Sequence, residues 1–253
     1  MEPGGWCGFV REAAVEVWPF AVAATNAYTG DHDVFAELGA TLARLERLEI
    51  DAEAADKGFG YELFAQYREN ESGERELAAR ILSFRGTDFN GLTDIFYGTL
   101  RSDHIELALA AFEAERARPE FGDDVPWIVT GHSLGGALAT EISVRYPEVR
   151  AYMFNTSPFY RSDGMTNDIR RTVFNERGEI LRRFARFDEA PAAEAFTLNC
   201  GPRESTFAKH KIRPLADCIT WIAAYGSKDA AAVIDANADS PMPVRKPLVE
   251  CGP

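Results

Sequence analysis

With 253 residues, 46% of them hydrophobic and 26% charged, the chain can bury a large core and is too apolar for a disordered tract, so one α/β domain is the simplest reading. Forty acidic residues against twenty-seven basic ones give a formal charge of −13, which opposes attraction to nucleic-acid phosphates and to anionic membrane surfaces. A small-molecule substrate, neutral or dispersed, is expected, and no nucleic-acid partner. No stretch approaches the ~20 apolar residues of a membrane span, and the start lacks a basic region followed by an apolar run. Stable membrane insertion is therefore not expected, and the default address is cytoplasmic, with export by a signal-independent route left open. Cys7, Cys200, Cys218 and Cys251 are scattered without the paired spacing of a zinc or redox motif, so the expectation is mostly buried, reduced thiols and no metal.

Residues 9–48 carry apolar positions at helical spacing, first Val15, Trp18, Val22 and Ala23, then Phe35, Leu38, Leu42 and Leu45, with turn residues around Tyr28 to Asp31 between them. Tyr61 to Tyr67 and Leu77 to Phe84 read as two strands joined by a polar hairpin loop. Asp94 to Phe112 reads as an amphipathic helix, and Arg116 to Asp124 as a polar loop. Next comes Trp127-Ile-Val-Thr-Gly-His-Ser-Leu-Gly-Gly136, an apolar strand running into a Gly-x-Ser-x-Gly turn and then a helix through Tyr146. Strands are expected at Arg150 to Asn155 and Arg171 to Phe174, and a last helix at Ile212 to Tyr225. The Ala-rich then Pro-rich stretch 229–253 reads as a loosely attached tail on a domain spanning residues 1–228. Strands alternating with helices predict a mostly parallel central sheet with helices on both faces.

The strand-turn-helix setting makes Gly131 to Gly135 a candidate nucleophile elbow. Ser133 must occupy a strained position on a sharp turn, and the flanking glycines remove side chains that would collide there. Leu134 follows it, and its backbone N–H at the helix start can face a developing oxyanion. A serine is a weak nucleophile without a base. Of four histidines, His132 points away from Ser133 by strand alternation, and His32 and His104 precede it. His210 follows it at a loop-to-helix junction, as the chain order Ser, acid, His of an α/β-hydrolase fold requires. The acid is then sought on the loop after the strand Arg171 to Phe174, where Glu176 and Glu179 both lie. Upstream, Phe84-Arg85-Gly86-Thr87 ends a strand where a second oxyanion donor commonly originates, and Thr87 could supply its N–H and its hydroxyl.

Taken in order, Phe84-Arg85-Gly86-Thr87, Asn90-Gly-Leu92-Thr93-Asp94, Val129 to Ala137, Asn155-Thr-Ser157-Pro158 and Arg171 to Arg177 resemble the class 3 lipase family of α/β-hydrolases, whose fungal members hydrolyse triacylglycerols. The resemblance covers residues ~60–215. It implies Ser133 as nucleophile, His210 as base, Thr87 and Leu134 as oxyanion donors, and no cofactor. It also favours Glu179 over Glu176 as the acid, because Ile180-Leu181 follows it as an apolar pair follows the family's aspartate. The chain departs from the family in three respects. Gly91 stands where the family has an aromatic, the acid is a glutamate with one inserted residue, and only Asp88 to Thr93 separate Thr87 from Asp94, too short for an amphipathic lid helix. Phe89, Phe96, Tyr97, Phe159 and Tyr160 are candidates to line an acyl site. The expected activity is a serine ester hydrolase acting on lipid-derived or small acyl esters. Acyl transfer at the same site and a non-catalytic binding or effector module are the alternatives.

Overall fold

The computed structural model describes residues 7–29, 33–86, 99–122, 124–158, 168–181 and 192–247. Its framework is a seven-stranded sheet in the order β1 to β7: Leu42–Leu45, Tyr61–Glu69, Arg75–Phe84, Trp127–His132, Arg150–Phe154, Arg171–Glu176 and Glu194–Leu198. The first three strands pair antiparallel, and β3 through β7 run parallel. The fold is that of an α/β-hydrolase, with helices on both faces of the sheet.

Strand alternation divides the core into two layers. On one face Phe64, Ile81, Tyr152, Phe154 and Phe174 meet helices α1 (Gly8–Asn26), α6 (Ile212–Ala224) and α7 (Lys228–Ala236). On the other, Leu63, Leu82, Phe84, Val129, Met153 and Val173 meet α3 (Thr99–Arg116) and α4 (Leu134–Arg145). Covering both faces explains why β4 and β5 read as nearly unbroken apolar runs. Two short helices are also present among the described residues, α2 (Ala52–Asp56), capped by the Asp51 carboxylate, and α5 (Thr206–His210), capped by the Ser205 hydroxyl.

Two expectations are corrected. The helical spacing over residues 35–48 does not produce a helix, because Leu42 to Leu45 pair antiparallel with Leu63 to Gln66 and bury Leu42. Helix propensity differs by only ~0.7 kcal/mol per residue among ordinary side chains, whereas burying one leucine contributes ~1.5–3 kcal/mol, so tertiary pairing prevails. Glu194–Leu198 form edge strand β7, where Phe196 stacks on Phe174 with ring centroids 4.6 Å apart. Within the expected tail, residues 229–247 are not loose. Helix α7 buries Ala230 and Val233, and Asn237 accepts from the N–H groups of Ala36 and Glu37. Farther on, Met242 and Val244 offer carbonyls to Arg213 and Trp221.

The cysteine expectation is corrected as well. Cys200, after β7, is joined to Cys218 on α6 by a disulfide, while Cys7 is a free, exposed thiol. Disulfides persist in oxidising compartments, so this bond does not support the cytoplasmic default. Among the described residues no helix is long and apolar enough to cross a membrane.

Candidate active site

Each site segment follows the C-terminal end of a parallel strand, the edge where open α/β sheets gather their chemistry. β4 ends at His132, Ser133 turns at φ 55°, ψ −122°, and α4 begins at Leu134. A non-glycine residue at positive φ costs on the order of 1–3 kcal/mol and persists only where its surroundings impose it. Here the Ser133 N–H donates to the Phe154 carbonyl at 3.1 Å, and its own carbonyl accepts from Ser157 and Gly136 at 3.0 and 3.1 Å. A Cβ on Gly131 would strike the backbone of Gly135, and one on Gly135 would strike the Phe84 carbonyl. The sharp turn therefore depends on both glycines. Leu134 opens α4, where no carbonyl one turn earlier can take its N–H and the helix dipole favours negative charge.

The structure brings Ser133, His210 and Glu179 into one hydrogen-bonded line. Ser133 Oγ lies 3.0 Å from His210 Nε2, and His210 Nδ1 lies 2.8 Å from Glu179 Oε2. All three are buried, at 1%, 2% and 1% exposure, which keeps these contacts out of bulk water and strengthens them. Glu179 Oε2 also accepts the Leu181 N–H at 2.8 Å. Gly178, at φ +78°, makes the turn that returns Glu179 toward His210, and the Glu179 N–H closes it on the Glu176 carbonyl at 3.3 Å. Lys209 Nζ donates to the Arg177 carbonyl at 3.0 Å, tying the turn to the helix that ends at His210.

Glu176, the other candidate acid, has a different task. Its oxygens accept the N–H groups of Cys200 and Gly201 at 2.9 and 3.1 Å, so it holds the start of the loop that follows β7. Burial pushes its carboxyl above the usual range, and those two N–H groups oppose the shift.

Thr87 lies outside the described residues, as do His32, the short stretch Asp88 to Thr93 and the candidate acyl-site aromatics Phe89, Phe96, Tyr97, Phe159 and Tyr160. Gly86, immediately before Thr87, is described. A Cβ there would come 3.1 Å from the Ser133 Cβ, so the end of β3 runs directly against the elbow. His104 is buried beside Phe59, with ring centroids 6.2 Å apart, away from this line.

His132 is nearer the centre than strand alternation suggests. Its ring centroid is 4.8 Å from that of His210, and its Nε2 lies 2.6 Å from the His210 carbonyl. Burial, and secondarily the neighbouring His210, hold the His132 pKa well below the usual histidine value, with the contact to that carbonyl acting in the opposite sense. Sequence reasoning also missed Tyr28 and Asn155. For Asn155 a signal was available, its position just after β5 at the functional edge. For Tyr28, on the turn after α1, there was none. Among the described residues no group of three or more His, Cys, Asp or Glu side chains could hold a metal.

No family model matches the chain, and no curated protein matches it. Its structural neighbours are fungal lipases. A mutant MDLA of Penicillium cyclopium is 13% identical over 81% of this chain and 86% of its own, with a TM-score of 0.45. Lip2 lipase of Yarrowia lipolytica is 14% identical over 74% and 79%, also with a TM-score of 0.45. A triacylglycerol lipase of Penicillium expansum is 12% identical over 75% and 81%, with a TM-score of 0.43. These chains are similar to this one at low sequence identity and moderate structural overlap.

Proposed function

We propose that this protein is a serine ester hydrolase that cleaves carboxylic esters through an acyl-enzyme. The observation that carries the reading is the buried line Ser133 Oγ, His210 Nε2, His210 Nδ1, Glu179 Oε2 at 3.0 and 2.8 Å, centred on a serine with positive φ. In the resting state Glu179 accepts the Nδ1 hydrogen, which fixes the tautomer that leaves Nε2 free to accept the serine proton. Attack by Ser133 Oγ on the ester carbonyl transfers that proton to Nε2, and Glu179 stabilises the imidazolium. The carbonyl oxygen becomes an oxyanion facing the Leu134 N–H, with Thr87 as the second donor. His210 then protonates the leaving alcohol. Water, deprotonated by the same imidazole, releases the acid and restores Ser133.

Small acyl esters, monoacylglycerols and lysophospholipid-like molecules are the proposed substrates, because only six residues separate Thr87 from Asp94, too few for a helical lid. The Cys200–Cys218 disulfide supports an oxidising working compartment. A series of p-nitrophenyl esters of increasing chain length, together with stoichiometric labelling by a fluorophosphonate, tests the reading. Turnover and labelling that both vanish in Ser133→Ala support it. A wild type that neither hydrolyses any ester nor takes the label points instead to a binding module on this fold.

A further inference from the structure

The main-chain carbonyl of His210 is buried and meets two side chains. His132 Nε2 lies 2.6 Å from it and Asn155 Nδ2 lies 3.1 Å from it. A carbonyl oxygen can only accept, so Nε2 of His132 carries a hydrogen. In the neutral ring Nδ1 is then an acceptor, and the Tyr28 hydroxyl, 2.7 Å away, donates to it. The Tyr28 oxygen in turn accepts the Gly86 N–H at 3.1 Å. The result is one directional chain, from the Gly86 N–H through the Tyr28 hydroxyl and the His132 ring to the carbonyl of the proposed base.

Asn155 extends this chain toward the acid. Its Nδ2 also donates to the Lys209 carbonyl at 3.0 Å, and its Oδ1 accepts the Glu176 N–H at 2.7 Å, at the head of the turn that carries Glu179. It is fully buried at φ 40°, one of two non-glycine residues with positive φ among those described, the other being Ser133. Glycine would take this conformation without strain, whereas asparagine takes it and adds three side-chain hydrogen bonds.

Buried polar residues at strand ends commonly satisfy nearby backbone groups and do nothing more. These differ in where both ends attach. Two arms, Tyr28 with His132 and Asn155 alone, hold the carbonyl of His210 at one end; at the other, the first reaches the strand end before Thr87 and the second the turn before Glu179. We propose that Tyr28, His132 and Asn155 are positioning residues that set the His210 imidazole between Ser133 and Glu179, mechanically joining the base to the oxyanion segment and to the acid turn. The proposal rests on the ester-hydrolase reading of the site. As positioning residues the three act through His210, so their loss should slow the chemical step and leave substrate binding alone.

The test uses Tyr28→Phe, which removes a single oxygen, and Asn155→Gly, which removes the three bonds while relieving the backbone strain. On p-nitrophenyl butyrate each is expected to lower kcat about tenfold with KM within about twofold, since a tenth of the rate corresponds to a small displacement of the base. The double variant should lose less than the product of the two single losses, because both act on one carbonyl. In nitrogen-15 spectra of the ring nitrogens, wild-type His132 should be the Nε2–H tautomer, and Tyr28→Phe should shift the His210 resonances. A kcat within twofold of wild type for Tyr28→Phe, or a loss carried by KM, overturns the proposal, and Tyr28→Phe alone decides if Asn155→Gly does not fold. Should the wild type prove inactive and resist fluorophosphonate, the hydrolase reading fails separately. The spectra then decide the frame, and unchanged His210 resonances in Tyr28→Phe reject it.

Discussion

At the residue scale two glutamates three positions apart divide the work, one facing the imidazole and the other holding main-chain N–H groups. Glu179→Gln should therefore reduce kcat by about 10²-fold or more with little loss of stability, since the amide can offer the wrong atom to Nδ1. Glu176→Gln should instead cost ~1–2 kcal/mol of stability, because an amide keeps one acceptor oxygen for two donors, while kcat changes little. Urea unfolding and steady-state kinetics on both variants separate the two, and reversed effects would exchange the assignments. Ser133→Ala should lose on the order of 10³-fold in kcat or more with an unchanged unfolding midpoint. His132 makes a prediction about pH. Its folded pKa is depressed, so below the ordinary value of ~6.5 the unfolded chain takes a proton that the native chain refuses. Its neutral burial is without penalty above ~6.5 and becomes destabilising as pH falls, by at most ~1.4 kcal/mol per unit. Asp217, raised to about 6 by burial despite Arg213 beside it, acts in the opposite sense between its ordinary value and 6. The contribution of His132 is thus isolated as the difference between wild type and His132→Gln from pH 7.5 to 5, which should grow against the wild type on acidification. Parallel curves would refute it.

At the element scale, the parts legible in the sequence are those whose signal is local. β2, β3, β4 and α4 sit where alternation, hairpin polarity and the elbow glycines place them, and Ser133 and His210 could be proposed from motif and chain order. β1 and β7 were hidden because edge strands with few buried side chains carry little alternation. In β7 only Leu198 is buried, and its pairing with β6 rather than its own pattern defines it. α7 was masked by an alanine-rich composition that contributes just Ala230 and Val233 to the core. The frame of Tyr28, His132 and Asn155 was illegible because it joins residues up to 104 positions apart through single atoms. No spacing encodes such contacts. The disulfide was equally hidden, since Cys200 and Cys218 are 18 residues apart and fit no motif. It anchors the segment that carries His210 to α6. Cutting a cross-link that closes a loop of this size is expected to cost ~3 kcal/mol. Cys200→Ser with Cys218→Ser should accordingly lower the urea midpoint, and adding a reductant should bring the wild type to the same value. A midpoint indifferent to both would mean that the bond contributes nothing to native stability.

At the scale of the whole molecule, two core layers pack against the two faces of the sheet while the proposed catalytic residues sit on turns at one edge, so substrate choice would fall to whatever covers that edge. A lidded lipase accelerates sharply when its substrate passes the solubility limit, because the interface stabilises the open state by taking up the lid's apolar face. At ~25 cal/mol per Å2 a few hundred Å2 would supply several kcal/mol, enough to shift a closed population almost completely. The six residues Asp88 to Thr93 contain two large apolar side chains, Phe89 and Leu92, and are less than two helical turns long. Six residues are too few to form an amphipathic helix that would carry such side chains as one face from the protein to an interface. The formal charge of −13 works in the same direction, opposing adsorption to anionic lipid surfaces at low ionic strength. The proposed hydrolase is therefore expected to show ordinary saturation on short-chain esters, with no rise in rate as tributyrin passes from solution to emulsion, and little activity on long-chain triacylglycerol. Rates measured across the solubility limit, with and without anionic detergent micelles, check this. A steep increase at the limit would show that some other segment covers the edge and opens on lipid, and the short connection after Thr87 would then say nothing about substrate class.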